Sequence, residues 1–220
     1  SFDNLKSFPT NGDIEEPLIE RSVATWIDVA KYKPTAELHY SIALGCMNLT
    51  RSAEGYMHLI QSLELDPAQA DVRQAVDALK SRRLVLVLDH STTARKLVCG
   101  LLDKNDYLVK SATKAAEALA FVDDVTPDLI YMDLSIPDMP GLDLVRDFRS
   151  RPELAHIPIL AVSHVHGFVD RMKVKVAGGS AFLAKPFQSP ELLKEVEKLT
   201  KPWKQPKEKA ERPGGRGPID

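Results

Sequence analysis

Asp128-Leu129-Ile130-Tyr131-Met132-Asp133-Leu134-Ser135-Ile136-Pro137-Asp138-Met139-Pro140-Gly141 carries an apolar run onto a carboxylate and then straight into a loop stiffened by prolines and a glycine. The run has the length of a strand, and its near-continuous apolar character is that of a strand buried on both faces. Asp133 thus stands at the C-terminal lip of a buried strand. Three other polar residues recur in the same local position. They are Asp89 after Leu84-Val85-Leu86-Val87-Leu88, Ser163 after Ile159-Leu160-Ala161-Val162, and Lys185 after Phe182-Leu183-Ala184. In an open parallel sheet these four ends lie on one edge, and ligands bind at that edge.

Short apolar runs at 84–88, 107–109, 129–132, 157–162 and 181–184 alternate with amphipathic stretches of helix length. Ala94, Leu97, Val98, Leu101 and Leu102 form one helical stripe; Leu192, Leu193, Val196 and Leu199 form another. Ser189-Pro190-Glu191 reads as a helix start, with a capping hydroxyl, proline at the first helical position and an acid in the first turn. Strand then helix, five times over, predicts an α/β fold: a five-stranded doubly wound parallel sheet spanning 84–200. Residues 14–82 read as helical throughout, with no strand-like alternation. One helix runs over 15–31 and is ended by Pro34; Leu38, Ile42, Cys46 and Leu49 mark a second; Met57, Ile60 and Leu63 share another face. Pro67 is expected in the first turn of the helix that carries Val72, Ala75, Val76 and Leu79. Residues 1–13 are read as a flexible N-terminus. The Lys- and Pro-rich stretch 201–220 is read as a disordered tail, too poor in apolar residues to offset chain entropy.

With 220 residues, 44% of them hydrophobic and 27% charged, the chain has the composition of a water-soluble globular protein. A net charge of -2 gives no bulk electrostatic argument for nucleic acid or an acidic membrane. No apolar run approaches the ~20 residues that span a bilayer. Cys46 and Cys99 both fall in apolar helical stretches and are read as buried thiols, which places the protein in the cytoplasm. A start at Ser1 rather than Met fits a processed or partial chain.

Asp89 beside Asp133 is costly without a cation, since like charges a few ångströms apart repel. Oxygen donors of this kind suit Mg2+ with several waters retained. Asp133 is then a carboxylate nucleophile toward phosphorus, with Lys185 pairing with the phosphoryl oxygens and Ser163 donating a hydrogen bond to them.

At these residues 84–200 resembles the receiver domain of a two-component response regulator. The matching motifs are Val-Leu-Val-Leu-Asp89, Asp133-Leu-Ser-Ile-Pro-Asp-Met-Pro-Gly141, Ala-Val-Ser163 and Lys185-Pro186-Phe187. The resemblance implies that Asp133 is the phosphoacceptor and that Asp89, Asp133 and the Ser135 backbone carbonyl hold Mg2+. It implies that Ser163 is the switch hydroxyl and Lys185 the phosphoryl-binding lysine, and that Phe182 is the aromatic that turns on activation. It also implies strand order 2-1-3-4-5 and a cis peptide before Pro186. Two residues depart from the pattern. His90 replaces the usual second acid and, being a poor Mg2+ ligand, is expected to weaken that ion or to add pH sensitivity. His164 stands where a small residue normally leaves the phosphoryl group accessible.

Residues 36–67 are similar to one tetratricopeptide unit ending in Ser62-Leu63-Glu64-Leu65-Asp66-Pro67, with Ala43 and Gly55 where two helices must approach and Leu59 in a bulky position. A lone unit must pack on something: the helix around Trp26, the receiver, or further repeats. A protein-docking surface and a helical spacer or dimerisation element both remain open. His39 lacks the flanking motif of a phosphohistidine helix and is read as a partly exposed helix residue. The leading function is a phosphorylation-controlled signalling adaptor, not an enzyme beyond its own phosphorylation and dephosphorylation. Its expected partners are a sensor histidine kinase or phosphotransfer protein upstream and a protein downstream, met through the helical segment or the 167–200 face. The alternative is a pseudo-receiver set by partner binding. A haloacid dehalogenase-type hydrolase is the third class, and Asp89-His90-Ser91 argues against it by lacking the second acid of Asp-x-Asp.

Overall fold

The computed structural model describes residues 16–164 and 167–201. The expectations for 1–13 and for most of the tail lie outside these residues. Five strands, β1 (Arg83–Leu88), β2 (Tyr107–Ala112), β3 (Leu129–Asp133), β4 (Ile159–Ser163) and β5 (Ala181–Ala184), form one parallel sheet in the order β2-β1-β3-β4-β5. The crossovers are α5 (Thr92–Lys104), α6 (Ala115–Asp124), α7 (Gly141–Ser150) and α8 (Phe168–Ala177), and α9 (Ser189–Thr200) follows β5.

Strand side chains alternate between two cores, as the period of two requires. Val85, Val87, Tyr131, Leu160 and Val162 pack with Val98 and Leu102 of α5 and Leu192 and Val196 of α9. Leu86, Leu88, Ile130, Met132 and Ile159 pack on the other face with Ala118 of α6, Phe148 of α7 and Ala177 of α8. Each such fully buried aliphatic or aromatic side chain contributes about 1.5–3 kcal/mol. Cys46 and Cys99 are free and buried, and burial pushes their thiols up to about 11 and about 12. Neither is a ready nucleophile.

The N-terminal part is helical: α1 (Glu16–Tyr32), α2 (Ala36–Asn48), α3 (Ser52–Leu65) and α4 (Ala70–Lys80). At the α2–α3 crossing a Cβ on Gly55 would meet the Met47 Cε at 2.8 Å and the Ala43 carbonyl at 3.0 Å. That close approach presses His39, 7% exposed, against His58, with their Nδ1 atoms 2.9 Å apart. His39 is therefore buried and paired, not the partly exposed residue expected. Pro67 also departs from expectation. It lies in a turn where the Asp66 carboxylate accepts from the Ala68 amide, and α4 starts three residues later behind Gln69, whose side chain bonds back to the Ser62 carbonyl. Likewise α9 is capped by Gln188, not Ser189: Ser189 is already helical, and Glu191 accepts from the Gln188 amide.

The helices and the sheet share a core. Leu108 of β2 packs with Ala53, Leu59, Val72, Ala75 and Leu79, and Leu84 of β1 joins them. On the outer edge of β2 the Ser52 Oγ accepts from the Val109 amide at 2.9 Å, while the Glu54 carboxylate bridges Lys110 and Arg51. The Lys110 ammonium lies 5.6 Å from the Phe121 ring centroid on α6. An edge strand that would otherwise offer bare amides to another chain is covered. No helix among the described residues is long and apolar enough to cross a membrane.

Burial works against the charge of Glu54, but Lys110 and Arg51 outweigh it and hold the carboxyl below the usual range. A depressed folded-state value gives stability present above the unfolded value and lost as pH falls through the folded one. Glu54→Gln should therefore cost about 1–2 kcal/mol at pH 7 and progressively less below pH ~4.3. Urea midpoints of both proteins across pH measure this; a gap that does not change with pH would remove the charge from the argument.

Candidate functional site

Parallel strands end on the same side, so the C-terminal ends of β1, β3 and β5 deliver Asp89, Asp133 and Lys185 to one place. The Lys185 ammonium donates to Asp89 Oδ2 at 2.7 Å and to Asp133 Oδ2 at 2.8 Å. Both carboxylates are buried. Burial disfavours the lysine's charge, yet its hydrogen bonds to Asp133 and Asp89 outweigh that and raise Lys185 above an ordinary lysine. The remaining carboxylate oxygens are also held: Asp89 Oδ1 accepts from the Ser91 amide and Asp133 Oδ1 from the Ser135 amide, each at 2.9 Å.

The loops that carry these groups are fixed by side chains the sequence reading passed over. Arg95 donates to the Asp89 carbonyl at 2.9 Å, and the Ser91 hydroxyl caps α5. The signal for it was an arginine one turn into a Ser-capped helix. Asp138 accepts from the Ala115 and Ala116 amides, so the loop after β3 caps α6. Those backbone bonds, Ala115 first, hold its carboxyl below the usual range. At the loop's far end a Cβ on Gly141 would stand 2.6 Å from the Leu134 Cα and carbonyl oxygen, so the closed loop requires glycine.

Ser163, at the end of β4, is buried, and its carbonyl accepts from the Lys185 amide at 2.8 Å. Ser135 meets Asp133 through its amide, in the same turn as the carbonyl expected to bind metal. His90 lies at the rim, with its side chain 48% exposed and its Nδ1 3.8 Å from Asp133 Oδ2. His164 is exposed just beyond β4. Phe182 sits inside β5, half-buried, under the Arg171 guanidinium at 5.7 Å. It is on the α8 side and is not part of the charged cluster. The peptide before Pro186 is cis.

One donor atom from each of Asp89, His90 and Asp133 lies within 4.8 Å of the other two. The carboxylate oxygens fit a divalent cation. The imidazole is the donor that a hard ion such as Mg2+ uses least well.

Directly below, the Tyr131 hydroxyl is buried with no hydrogen-bond partner among the described residues. Burial first, and the Asp89 and Asp133 charges next, push its pKa above that of an ordinary tyrosine and keep it neutral. Because an unpaired buried hydroxyl loses its hydration without return, Tyr131→Phe should leave stability unchanged or raise it by up to about 1 kcal/mol. A loss above that in thermal or urea unfolding would show that the hydroxyl is satisfied in solution.

Lys185→Met would leave two adjacent buried carboxylates, costing about 3–5 kcal/mol at pH 7. Protonating one carboxylate relieves the repulsion, so the deficit should shrink as pH falls and grow as it rises. Urea unfolding from pH 4 to pH 8, with Asp89→Asn as a second-site rescue, tests this; a deficit that does not vary with pH would mean the lysine acts through packing alone.

The model of the response regulator receiver domain matches residues 85–197. PilG of Pseudomonas aeruginosa is 30% identical over 122 residues, 56% of this chain and 87% of that protein. The chemotaxis response regulator CheY4 of Vibrio cholerae is 28% identical with a TM-score of 0.53, covering 54% of this chain and 99% of that one. The receiver domain of a Pseudomonas aeruginosa sensor histidine kinase, with a magnesium ion coordinated in its active-site cleft, has the same fold at 22% identity, with a TM-score of 0.51 and coverage of 55% and 98%. Through the sheet and its flanking helices, this chain belongs to the response regulator receiver domain family.

Proposed function

We propose that this chain is a phosphorylation-controlled adaptor of a two-component phosphorelay that accepts a phosphoryl group on Asp133. The observation that carries the reading is the buried carboxylate pair clamped by Lys185 at 2.7 and 2.8 Å. A structural ion pair needs one acid; a second, equally buried acid on the same ammonium is a cost that only function explains.

In the step proposed, a carboxylate oxygen of Asp133 attacks the phosphorus of a phosphohistidine, forming an O–P bond as the donor's N–P bond breaks and leaves its electron pair on the imidazole. Lys185, already 2.8 Å from Asp133 Oδ2, moves its hydrogen bonds to the new phosphoryl oxygens. Ser163 supplies a hydroxyl from the neighbouring strand end. Asp89, Asp133 and the Ser135 carbonyl would hold a divalent cation, which supplies charge neutralisation for the transferring group. His90 in place of an acid makes Mg2+ binding weak.

Output passes from Ser163 to Phe182 and the surface of α8, β5 and α9. On α8 the apolar side chains Val169, Met172 and Val176 follow at helical spacing and are 60, 43 and 81% exposed, which supports a protein-binding face there. The tetratricopeptide-like pairing of α2 and α3 offers a second surface. The adaptor is cytoplasmic and needs neither nucleic acid nor membrane. A pseudo-receiver reading draws on one observation: Lys185, Ser91 and Ser135 already engage all four carboxylate oxygens.

Acetyl phosphate with a divalent cation should add one phosphoryl group, seen by intact mass, and Asp133→Asn should abolish it. A modification that persists in the variant overturns the assignment to Asp133. No modification in the unaltered chain leaves the pseudo-receiver as the better reading.

A further inference from the structure

We propose that the strand-end site selects a first-row transition divalent cation such as Mn2+ over Mg2+, with the His90 imidazole as its nitrogen ligand. The inference rests on the reading above only in taking Asp89 and Asp133 as a cation site, and it is independent of whether phosphate is accepted.

Three observations carry it. The donor atoms of Asp89, His90 and Asp133 all lie within 4.8 Å of one another. Two ligands on opposite sides of an ion at about 2.1–2.2 Å are at most about 4.4 Å apart, so a contraction of a few tenths of an ångström places all three on one ion. The contraction falls on the group free to make it. His90 is half exposed at the rim, while its backbone is held by its neighbours: Arg95 donates to the Asp89 carbonyl, and the Asp89 side chain accepts from the Ser91 amide.

Charge is the second element. With Lys185 protonated, the two carboxylates and the ammonium sum to one negative charge, and a neutral imidazole adds none. Mg2+ depends on anionic oxygen and on near-ideal octahedral geometry, so a site with one net negative charge and a nitrogen donor holds it poorly. A first-row transition ion recovers the lost Coulomb attraction through the imidazole bond, and Mn2+ also accepts carboxylate, carbonyl and water. The third element is direction: Nδ1, the nitrogen nearer the backbone, is the one that faces Asp133, at 3.8 Å from Oδ2. The ring therefore already presents a nitrogen toward the carboxylate that would share the ion.

The test uses the whole chain freed of metal. Mn2+ binding is followed by loss of the free-ion electron spin resonance signal, Mg2+ by competition, and the ligand by electron spin echo modulation from directly bound nitrogen. The expected result is Mn2+ held at least about tenfold more tightly than Mg2+, with strong nitrogen modulation. In His90→Asp, checked for folding by circular dichroism, that modulation should vanish and the Mn2+ preference should fall several-fold as Mg2+ gains. Bound Mn2+ without nitrogen modulation, or modulation that survives in His90→Asp, overturns the proposal while leaving the cation site itself standing. No binding of either ion overturns both.

Discussion

The contact on which the rest of the molecule converges is a single ammonium between two buried carboxylates, Lys185 to Asp89 and to Asp133. Three strands separated by more than forty residues at each step must end within hydrogen-bonding distance of one point for it to form. Everything upstream serves that registration. β1 lies beside β3, and β3 beside β4, because their side chains fill both cores without a polar atom between them, Tyr131 excepted. β5 reaches the site from the far side of β4 because the Lys185 amide donates to the Ser163 carbonyl, which fixes where the lysine leaves the strand. A lysine one residue earlier or later would point to the other face of the sheet.

The same contact explains why the loops are so heavily tied. A carboxylate held at zero exposure loses its hydration, and each of its oxygens must then find a donor. Lys185 supplies two such bonds, and backbone amides two residues downstream supply the others at both Asp89 and Asp133. Those amides point inward only if the loop turns at once. The turn after Asp89 is closed by Arg95 and the start of α5, and the turn after Asp133 by Asp138, which caps α6, and by the bare Cα of Gly141. The buried carboxylate pair is thereby held in place by residues that never touch it.

How much of this was legible follows from how local each signal is. The five strands and the residues Asp89, Asp133, Ser163 and Lys185 stood out because a buried parallel strand writes an unbroken apolar run, and the polar residue that ends it is conspicuous. β2 was read short, as 107–109, because Lys110 and Ser111 break the apolar run; the strand continues to Ala112 because Lys110 finds Glu54 and Phe121. Ser189 and Pro67 were misplaced by one to three residues because Gln188 and Gln69 took the capping and turn bonds, and glutamine is an uncommon choice for either role. His39 was misjudged because only the partner helix shows that His58 stands opposite. Asp138, Arg95 and Ser52 carry no periodicity at all. Their roles exist only once distant elements meet.

Ser52 leads to a constraint on how the molecule transmits a signal. The helical part does not hang from a linker: α4 runs into β1 within three residues, and Leu108 belongs to the helical core and the sheet at once. A hinge would have to break the bond from the Val109 amide to Ser52, the Glu54–Lys110 pair and the packing around Leu108 together. Rigid-body swinging of the helices against the sheet is therefore costly, whereas α8 and β5, at the opposite edge, are lined by half-exposed side chains and carry the exposed apolar stripe. The sheet thus has one edge locked by α3 and one edge loosely covered. On the function proposed above, a rearrangement started at Asp133, in the central strand, would meet the least resistance toward Ser163 and Phe182, with the locked edge as a fixed frame.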